Sequence, residues 1–216
     1  RQSQPIDLFT DELSSWFALL GLASILTWTF YFFFMNSARL ELDLETARLE
    51  LVQLATTDPL TGLYNRRHFF ERAEIEFQRA IRQEQSLSFL LMDVDDYKAI
   101  NDKYGHDVGD AVMLHLANML PAEVRIFDLI ARFGGDEFII MLVNTQEEQA
   151  YEAAERIRNA VAQKPITYDA WKFNIYVSLG IATFKTEDED LKSILKRADI
   201  ALYYAKRHGR NRVHKG

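Results

Sequence analysis

Two neighbouring glycines, two acids and an aromatic, Gly134-Gly135-Asp136-Glu137-Phe138, join two strand-like runs, Arg125–Phe133 upstream and Phe138–Val143 downstream. Paired glycines between such runs predict a tight hairpin, because turn positions with positive φ cost glycine little. The turn then holds two carboxylates at an exposed tip that a ligand can approach closely. An acidic tip adds little stability but suits a divalent cation. Asp93 is a further acid of interest, near the end of the apolar run Leu87–Asp95 (LSFLLMDVD). A charge there is costly unless it is paired or bound to a metal. If that strand lies beside the hairpin, Asp93 and Asp136 face each other. With ordinary carboxyl pKa values near ~3.9, both are ionised at neutral pH and repel. A hard cation such as Mg²⁺ removes that conflict, since it takes one or two carboxylates together with carbonyls, water and substrate phosphates. The bland alternative is that Asp93 or Asp95 caps the helix that follows.

Other candidates cluster just downstream. Lys98 and Asn101 are three apart, hence on one face of a short helix. Lys98 offers a point charge suited to phosphate, and Asn101 offers both a donor and an acceptor. Asp110 opens the next predicted helix. It either caps that helix or accepts from the N1–H and exocyclic amine of a guanine. His106 lies in the Gly105–Gly109 segment, read as a loop, where a solvated histidine is the default. Arg125 and Asp128 form an Arg-x-x-Asp pair, by default a surface ion pair.

These residues need a scaffold, and residues 58–216 alternate helix and strand. Asn65 is a plausible N-cap for a helix over Arg66–Glu84. The strand Leu87–Asp95 leads to helices over about 96–104 and 110–121, then the hairpin. A helix over about 146–163, a strand over Lys172–Phe184 and a helix from about Leu191 to His208 complete the pattern. This order predicts an α/β sandwich (α+β) with a mainly antiparallel central sheet. Upstream, Trp16–Met35 carries no charge and is long enough, at ~1.5 Å per residue, to cross a ~30 Å hydrocarbon core. It is too long for a usual signal peptide, has no small-residue cleavage site after it, and is unusually charge-free for a core helix. Leu40, Leu44, Ala47, Leu51 and Leu54 then recur at heptad spacing over about two heptads. That stripe is either an ordinary amphipathic helix or a parallel dimer seam. Thr56-Thr57-Asp58-Pro59 should end the helix. The expected organisation is a juxtamembrane segment 1–15, a transmembrane helix 16–35, a coiled-coil helix 36–57 and a soluble domain 58–216. The chain begins at Arg1, so an upstream segment is expected, and residues 1–15 are too few for a sensor domain.

Composition narrows the chemistry. There is no cysteine, which excludes disulfides, thiolate metal sites and a cysteine nucleophile. The net charge is −7, so no global basic field attracts nucleic acid. The basic run Lys206–Arg212 fits a phosphate-contacting helix end better than a nucleic-acid patch.

Asp93-Val94-Asp95-Asp96-Tyr97-Lys98, Asn101-Asp102, Gly105-His106-Asp107, Gly109-Asp110 and Gly134–Phe138 together resemble the GGDEF family of diguanylate cyclases. The likeness covers 58–216, from Asp58-Pro59-Leu60-Thr61-Gly62 to Gly209-Arg210-Asn211. Tyr97 and Phe133 replace the commoner Phe and Tyr but keep an aromatic ring. The resemblance implies a fold like nucleotidyl cyclase and polymerase palm domains. It implies condensation of two GTP into cyclic di-GMP with release of pyrophosphate, by two sites facing each other in a homodimer. It makes Asp93, the Val94 carbonyl and Asp136 the ligands of Mg²⁺, with Mn²⁺ as a substitute. Asp136 is a metal ligand first and a base second, and Glu137 is its catalytic neighbour. Asn101 and Asp110 would read guanine, with His106, Gly134 and Gly135 also at the nucleotide, while Lys98, Lys206 and Arg210 would contact phosphates. Arg125 and Asp128 would form an inhibitory site for cyclic di-GMP. The family also implies a bacterial inner membrane, with membrane lipid around the span and the catalytic domain in the cytoplasm. Two other readings stay open: a non-catalytic nucleotide sensor, and a cyclase of different base choice, against which Asp110 argues because a carboxylate repels adenine N1.

Overall fold

The computed structural model describes residues 8–169 and 171–216, with side chains from Glu12 onward. The chain divides into two compact units, up to Val52 and Gln53–Gly216. Helix α1 (Leu8–Thr56) runs unbroken through both the apolar stretch and the heptad stripe, with Gln53 to Thr56 belonging to the second unit. Leu40, Leu44, Leu51 and Leu54 are all exposed. The helix ends at Thr56, as the following Thr57-Asp58-Pro59 anticipates.

The second unit is built on a six-stranded sheet in the order β1-β3-β4-β2-β7-β8. Its strands are β1 (Tyr64–Asn65), β2 (Leu87–Val94), β3 (Leu129–Gly134), β4 (Glu137–Val143), β7 (Val177–Thr183) and β8 (Val213–Lys215). The four central strands pair antiparallel, and the edge strands β1 and β8 join in parallel. β2 is buried along its whole length, because helices cover both faces. Leu90, Met92 and Val94 pack with α4 (His106–Glu123) and α5 (Glu147–Gln163). Leu87, Phe89 and Leu91 pack with α2 (Arg66–Gln83) and α6 (Leu191–Arg207). This period-two division leaves Asp93 on the α6 face. The fit between sheet and α6 is close at Gly180, where a Cβ would stand 2.1 Å from the Ala198 carbonyl oxygen.

Several local expectations change. Asn65 caps α2 as expected, accepting from the His68 N–H at 2.9 Å. The short helix α3 (Tyr97–Tyr104) also forms, but its N-cap Asp96 makes no side-chain capping bond. Neither Asp93 nor Asp95 caps it. The expected loop before Asp110 is helical: after Gly105, at φ 91°, the chain enters α4 at His106. Asp110 is therefore inside the helix and caps nothing. Lys172–Phe184 is not one strand. β6 (Trp171–Phe173) pairs with β5 (Ile166–Tyr168) as a separate hairpin, and only β7 joins the main sheet. The run contains no proline, and its one glycine, Gly180, lies within β7, so nothing local marks the break. The partners available to each half create it. Upstream of the hairpin, Arg125–Asp128 is a turn rather than strand, because the Asp128 carboxylate accepts from the Arg125 backbone N–H at 2.8 Å.

Candidate active site

The acids meet at one end of the β4–β2–β7 ladder. Asp93 is the register partner of Glu137, and only 6 % of it is exposed. The Val94 N–H donates to the Asp136 backbone carbonyl at 3.2 Å, which ties the hairpin turn to the end of β2. Asp93, Val94, Asp136 and Glu137 are thus gathered as the sequence anticipated. Lys206 of α6 also reaches the group, with its Nζ 2.6 Å from Asp93 Oδ2. The Asp93 carboxyl is raised to about 6 on balance, chiefly by burial. The hydrogen bond and charge of Lys206 pull it down, and the charges of Asp136 and Glu137 push it further up. One ammonium facing this carboxylate group leaves a local excess of negative charge, which fits a divalent cation. Among the described residues no three or more His, Asp or Glu side chains form a closed metal cage. Two carboxylates and a carbonyl leave room for phosphate and water, the set that Mg²⁺ accepts.

The two glycines of the turn are not used as expected. Positive φ occurs at Gly62, Gly105 and Gly209 but at neither Gly134 nor Gly135. A Cβ at Gly135 would meet nothing within 4 Å, and one at Gly134 would meet only Glu137 Oε2, at 3.6 Å. Neither backbone strain nor crowding demands glycine there. What glycine leaves is open space above the acidic turn.

Arg132, which the sequence did not single out, fixes this turn. Its Nε and Nη2 donate to the Gly135 carbonyl at 3.1 and 2.7 Å, and its Nη1 donates to Asp58 Oδ1 at 3.1 Å. Burial raises the Asp58 carboxyl pKa, but hydrogen bonds from Thr61 and Arg132 outweigh that and hold it below its ordinary value. The C-terminal turn of α1 is held nearby, since Asn65 Nδ2 and Arg67 Nη2 both donate to the Ala55 carbonyl, at 3.0 and 2.7 Å. A hydrogen-bonded path therefore runs from the segment after the helix to the acidic turn. The signals were present as an arginine two residues before Gly134 and an acid opening Asp58-Pro59-Leu60-Thr61.

The α3–α4 elbow forms the neighbouring wall. Asn101 Oδ1 is buried beside the Tyr97 hydroxyl, which reaches the Asn101 amide only in a geometry too poor for a full hydrogen bond to that oxygen. An acceptor left under-satisfied in this way has capacity for a further donor. Burial pushes the Tyr97 phenol up. Contact with Asn101 lowers it, Asp110 and Asp136 raise it, and Arg132 lowers it. That set of neighbours places Tyr97 between the elbow and the acidic turn. His106 and Asp110, one turn apart on α4, are exposed, as is Lys98 on α3. Arg210 follows α6, with Nε 3.4 Å from Asp96 Oδ1.

Arg125 and Asp128 stand elsewhere. Six residues of β3 at ~3.3 Å each put them about 20 Å from the acidic turn, at the other end of the hairpin. No ion pair joins their side chains among the described residues. Asp128 instead accepts from the backbone N–H groups of Arg125 and Val143. Arg125 lines a concavity of about 810 Å³ with Arg72, Glu76, Arg79, Phe127 and Asp128.

The family profile described as "Diguanylate cyclase, GGDEF domain" matches residues 55–212. The chain belongs to the GGDEF-domain diguanylate cyclase family. Diguanylate cyclase A of Treponema denticola is 42% identical over 168 residues, 76% of this chain and 45% of that protein. A diguanylate cyclase of Vibrio cholerae is 42% identical over 170 residues, 79% of this chain and 52% of that one. The chain thus spans about half the length of these curated GGDEF relatives. Among solved structures, the coiled coil and GGDEF domain of DgcB from Caulobacter crescentus, in complex with c-di-GMP, superposes with a TM-score of 0.76 at 30% identity. It covers 84% of this chain and 97% of that one. The active GGEEF domain of a Vibrio cholerae diguanylate cyclase gives 0.67 at 40% identity, over 70% and 96%.

Proposed function

We propose that this protein is a membrane-anchored diguanylate cyclase that condenses two GTP into one cyclic di-GMP and two pyrophosphates. The observation that carries this reading is the gathering of Asp93, Asp136 and Glu137 beneath an open glycine turn, beside an elbow with an under-satisfied acceptor. Asp93, the Val94 carbonyl and Asp136 would hold Mg²⁺, or Mn²⁺ in its place. When bound, the ion supplies Lewis acidity and neutralises charge developing on the reacting oxygens. The buried Asn101 Oδ1 accepts from guanine and Asp110 takes the donors of its edge, while His106 and Lys98 line the approach. Lys206 and Arg210 place positive charge against the triphosphate and the departing pyrophosphate, because positioning and electrostatics dominate phosphoryl transfer. Each 3′-hydroxyl attacks the α-phosphorus of the opposing GTP in line with the leaving pyrophosphate. The hydroxyl proton passes to a carboxylate oxygen at the turn, a second role for Asp136.

Two nucleotides must meet face to face, so two chains are required. The exposed leucines of α1 supply a seam for a parallel homodimer. The organisation that fits is a juxtamembrane segment 1–15, a span over 16–35, a signalling helix over 36–57 and a catalytic domain over 58–216. α1 contains a window long and apolar enough to cross a bilayer, of mean hydropathy 1.8. This supports a membrane anchor; a bacterial inner-membrane location with the catalytic domain in the cytoplasm is what the family implies.

Purified chain given GTP and Mg²⁺ should yield cyclic di-GMP and pyrophosphate in a 1:2 ratio, and EDTA should abolish the reaction. GTP binding without turnover would replace this reading with a nucleotide sensor, and comparable consumption of ATP would overturn the choice of guanine.

Arg125 and Asp128 would bind the product and slow the enzyme. Arg125→Ala should raise the product concentration needed for half-inhibition about tenfold, the effect of losing a charged hydrogen bond, with the initial rate nearly constant. Equal inhibition of variant and parent would remove this site from the scheme.

A further inference from the structure

The backbone after α6 takes an uncommon course. Gly209, Arg210 and Asn211 follow one another at φ 113°, 56° and 45°. Glycine accepts that region freely, but arginine and asparagine are strained there unless their surroundings hold them. The holding groups can be named. The Asn211 backbone N–H donates to Asp95 Oδ2 at 2.8 Å, and Asp95 Oδ1 accepts from Ser178 Oγ at 2.7 Å. Both Asp95 and Ser178 are buried. On the other side, Asn211 Oδ1 accepts from Arg158 Nη1 at 2.9 Å, and Glu155 holds Arg158 at 2.8 Å. The Arg210 N–H donates back to the Ala205 carbonyl at 3.2 Å.

Asp95 lies two residues from Asp93, and its oxygens are engaged by Ser178, the register partner of Asp93 on β7, and by the Asn211 N–H. Among the described residues, the Arg210 guanidinium makes one charged contact, an exposed ion pair with Asp96 at 3.4 Å, and exposed pairs of this kind contribute little. That contact cannot fix the side chain. Its position must come from the backbone, and the backbone conformation is held by Asp95.

We propose that Asp95 is a positioning residue for Arg210: through Ser178 and the Asn211 amide it clamps the left-handed Arg210-Asn211 pair so that the guanidinium stands ready for the nucleotide polyphosphate. This rests on Arg210 being a phosphate contact, as set out above. A guanidinium held in place before binding gains more from a phosphate than one that must first be ordered. Without the clamp, residues 210 and 211 relax toward negative φ and carry the guanidinium away.

The test compares GTP with GMP, both in Mg²⁺, on the full-length chain, since the two share guanine and differ in phosphate number. The readout is the ratio of their affinities. Asp95→Ala and Arg210→Ala should each lower the GTP preference about tenfold, the scale of one charge-assisted hydrogen bond, while GMP affinity holds. Asp95→Asn should keep most of the preference, because its amide can accept from Asn211 and donate to Ser178 Oγ. The double variant Asp95→Ala/Arg210→Ala should match Arg210→Ala alone. Equal losses for GTP and GMP in Asp95→Ala, full additivity in the double variant, or an Asp95→Asn as impaired as Asp95→Ala would each overturn the proposal. An Arg210→Ala with unchanged preference would overturn the phosphate role of Arg210 first, and the inference with it. Should Asp95→Ala not fold, Asn211→Ala carries the same test. It keeps the amide bond but loses the Arg158 support and raises the left-handed cost, so an unaltered preference there overturns the clamp.

Discussion

Replacing Asp136 with alanine should leave a folded protein whose cyclic di-GMP synthesis falls by at least about 10²–10³-fold, the loss seen when a principal group that stabilises transition-state charge is removed. The fold should survive because the contacts holding the turn do not use this carboxylate. Arg132 grips the Gly135 carbonyl, and the Val94 N–H is satisfied by the Asp136 backbone carbonyl. Alanine keeps both. Removing the carboxylate also relieves repulsion at Asp93, whose raised pKa owes part of its elevation to Asp136, so the Asp93 pKa should fall. The thermal midpoint should be unchanged or slightly higher, while GTP turnover, followed as pyrophosphate release, collapses. A variant that is stable and as active as the parent would remove Asp136 from the chemistry. One that loses activity and stability together would mean that the turn depends on this carboxylate in a way the hydrogen bonds do not account for.

What could be read from the sequence was whatever a local rule encodes. Asp93 stood out because a charge interrupts an apolar run, and Asn65 because a cap residue precedes an amphipathic stretch. The hairpin was legible from its glycines, though for a reason that does not apply, since neither adopts positive φ. The misses have a common origin in long-range partners. The split of Lys172–Phe184 follows from β5 claiming one half and β2 the other. The Asp58–Arg132 bridge joins residues 74 apart in sequence, and Lys206 meets Asp93 across the packing of α6 on the sheet. The early start of α4 was hidden because Gly105 and Gly109 look alike in a sequence. Only Gly105 bends the chain, at φ 91°, whereas Gly109 lies in the helix for lack of space.

That second glycine gives the other large effect. In an isolated helix, Gly109→Ala would be stabilising by roughly 0.5–1 kcal/mol. Here a Cβ at position 109 would lie 1.9 Å from Asn101 Oδ1 and 2.9 Å from both Asn101 Cγ and the Tyr97 hydroxyl. Those groups are side chains, so the cheapest escape is for Asn101 and Tyr97 to swing aside rather than for α3 and α4 to separate. The under-satisfied acceptor then no longer faces the nucleotide. The expected result is a KM for GTP raised about 10–100-fold, the value of a buried polar contact to the base. Affinity for pyrophosphate should change little, because Lys206 and Arg210 lie on other elements. Discrimination against ATP should shrink in parallel, since the weakened contact is to the base and not to the phosphates. A Gly109→Ala variant with unaltered KM and unaltered base preference would show that the elbow does not hold the base, and Asn101 would lose its assigned part in recognition.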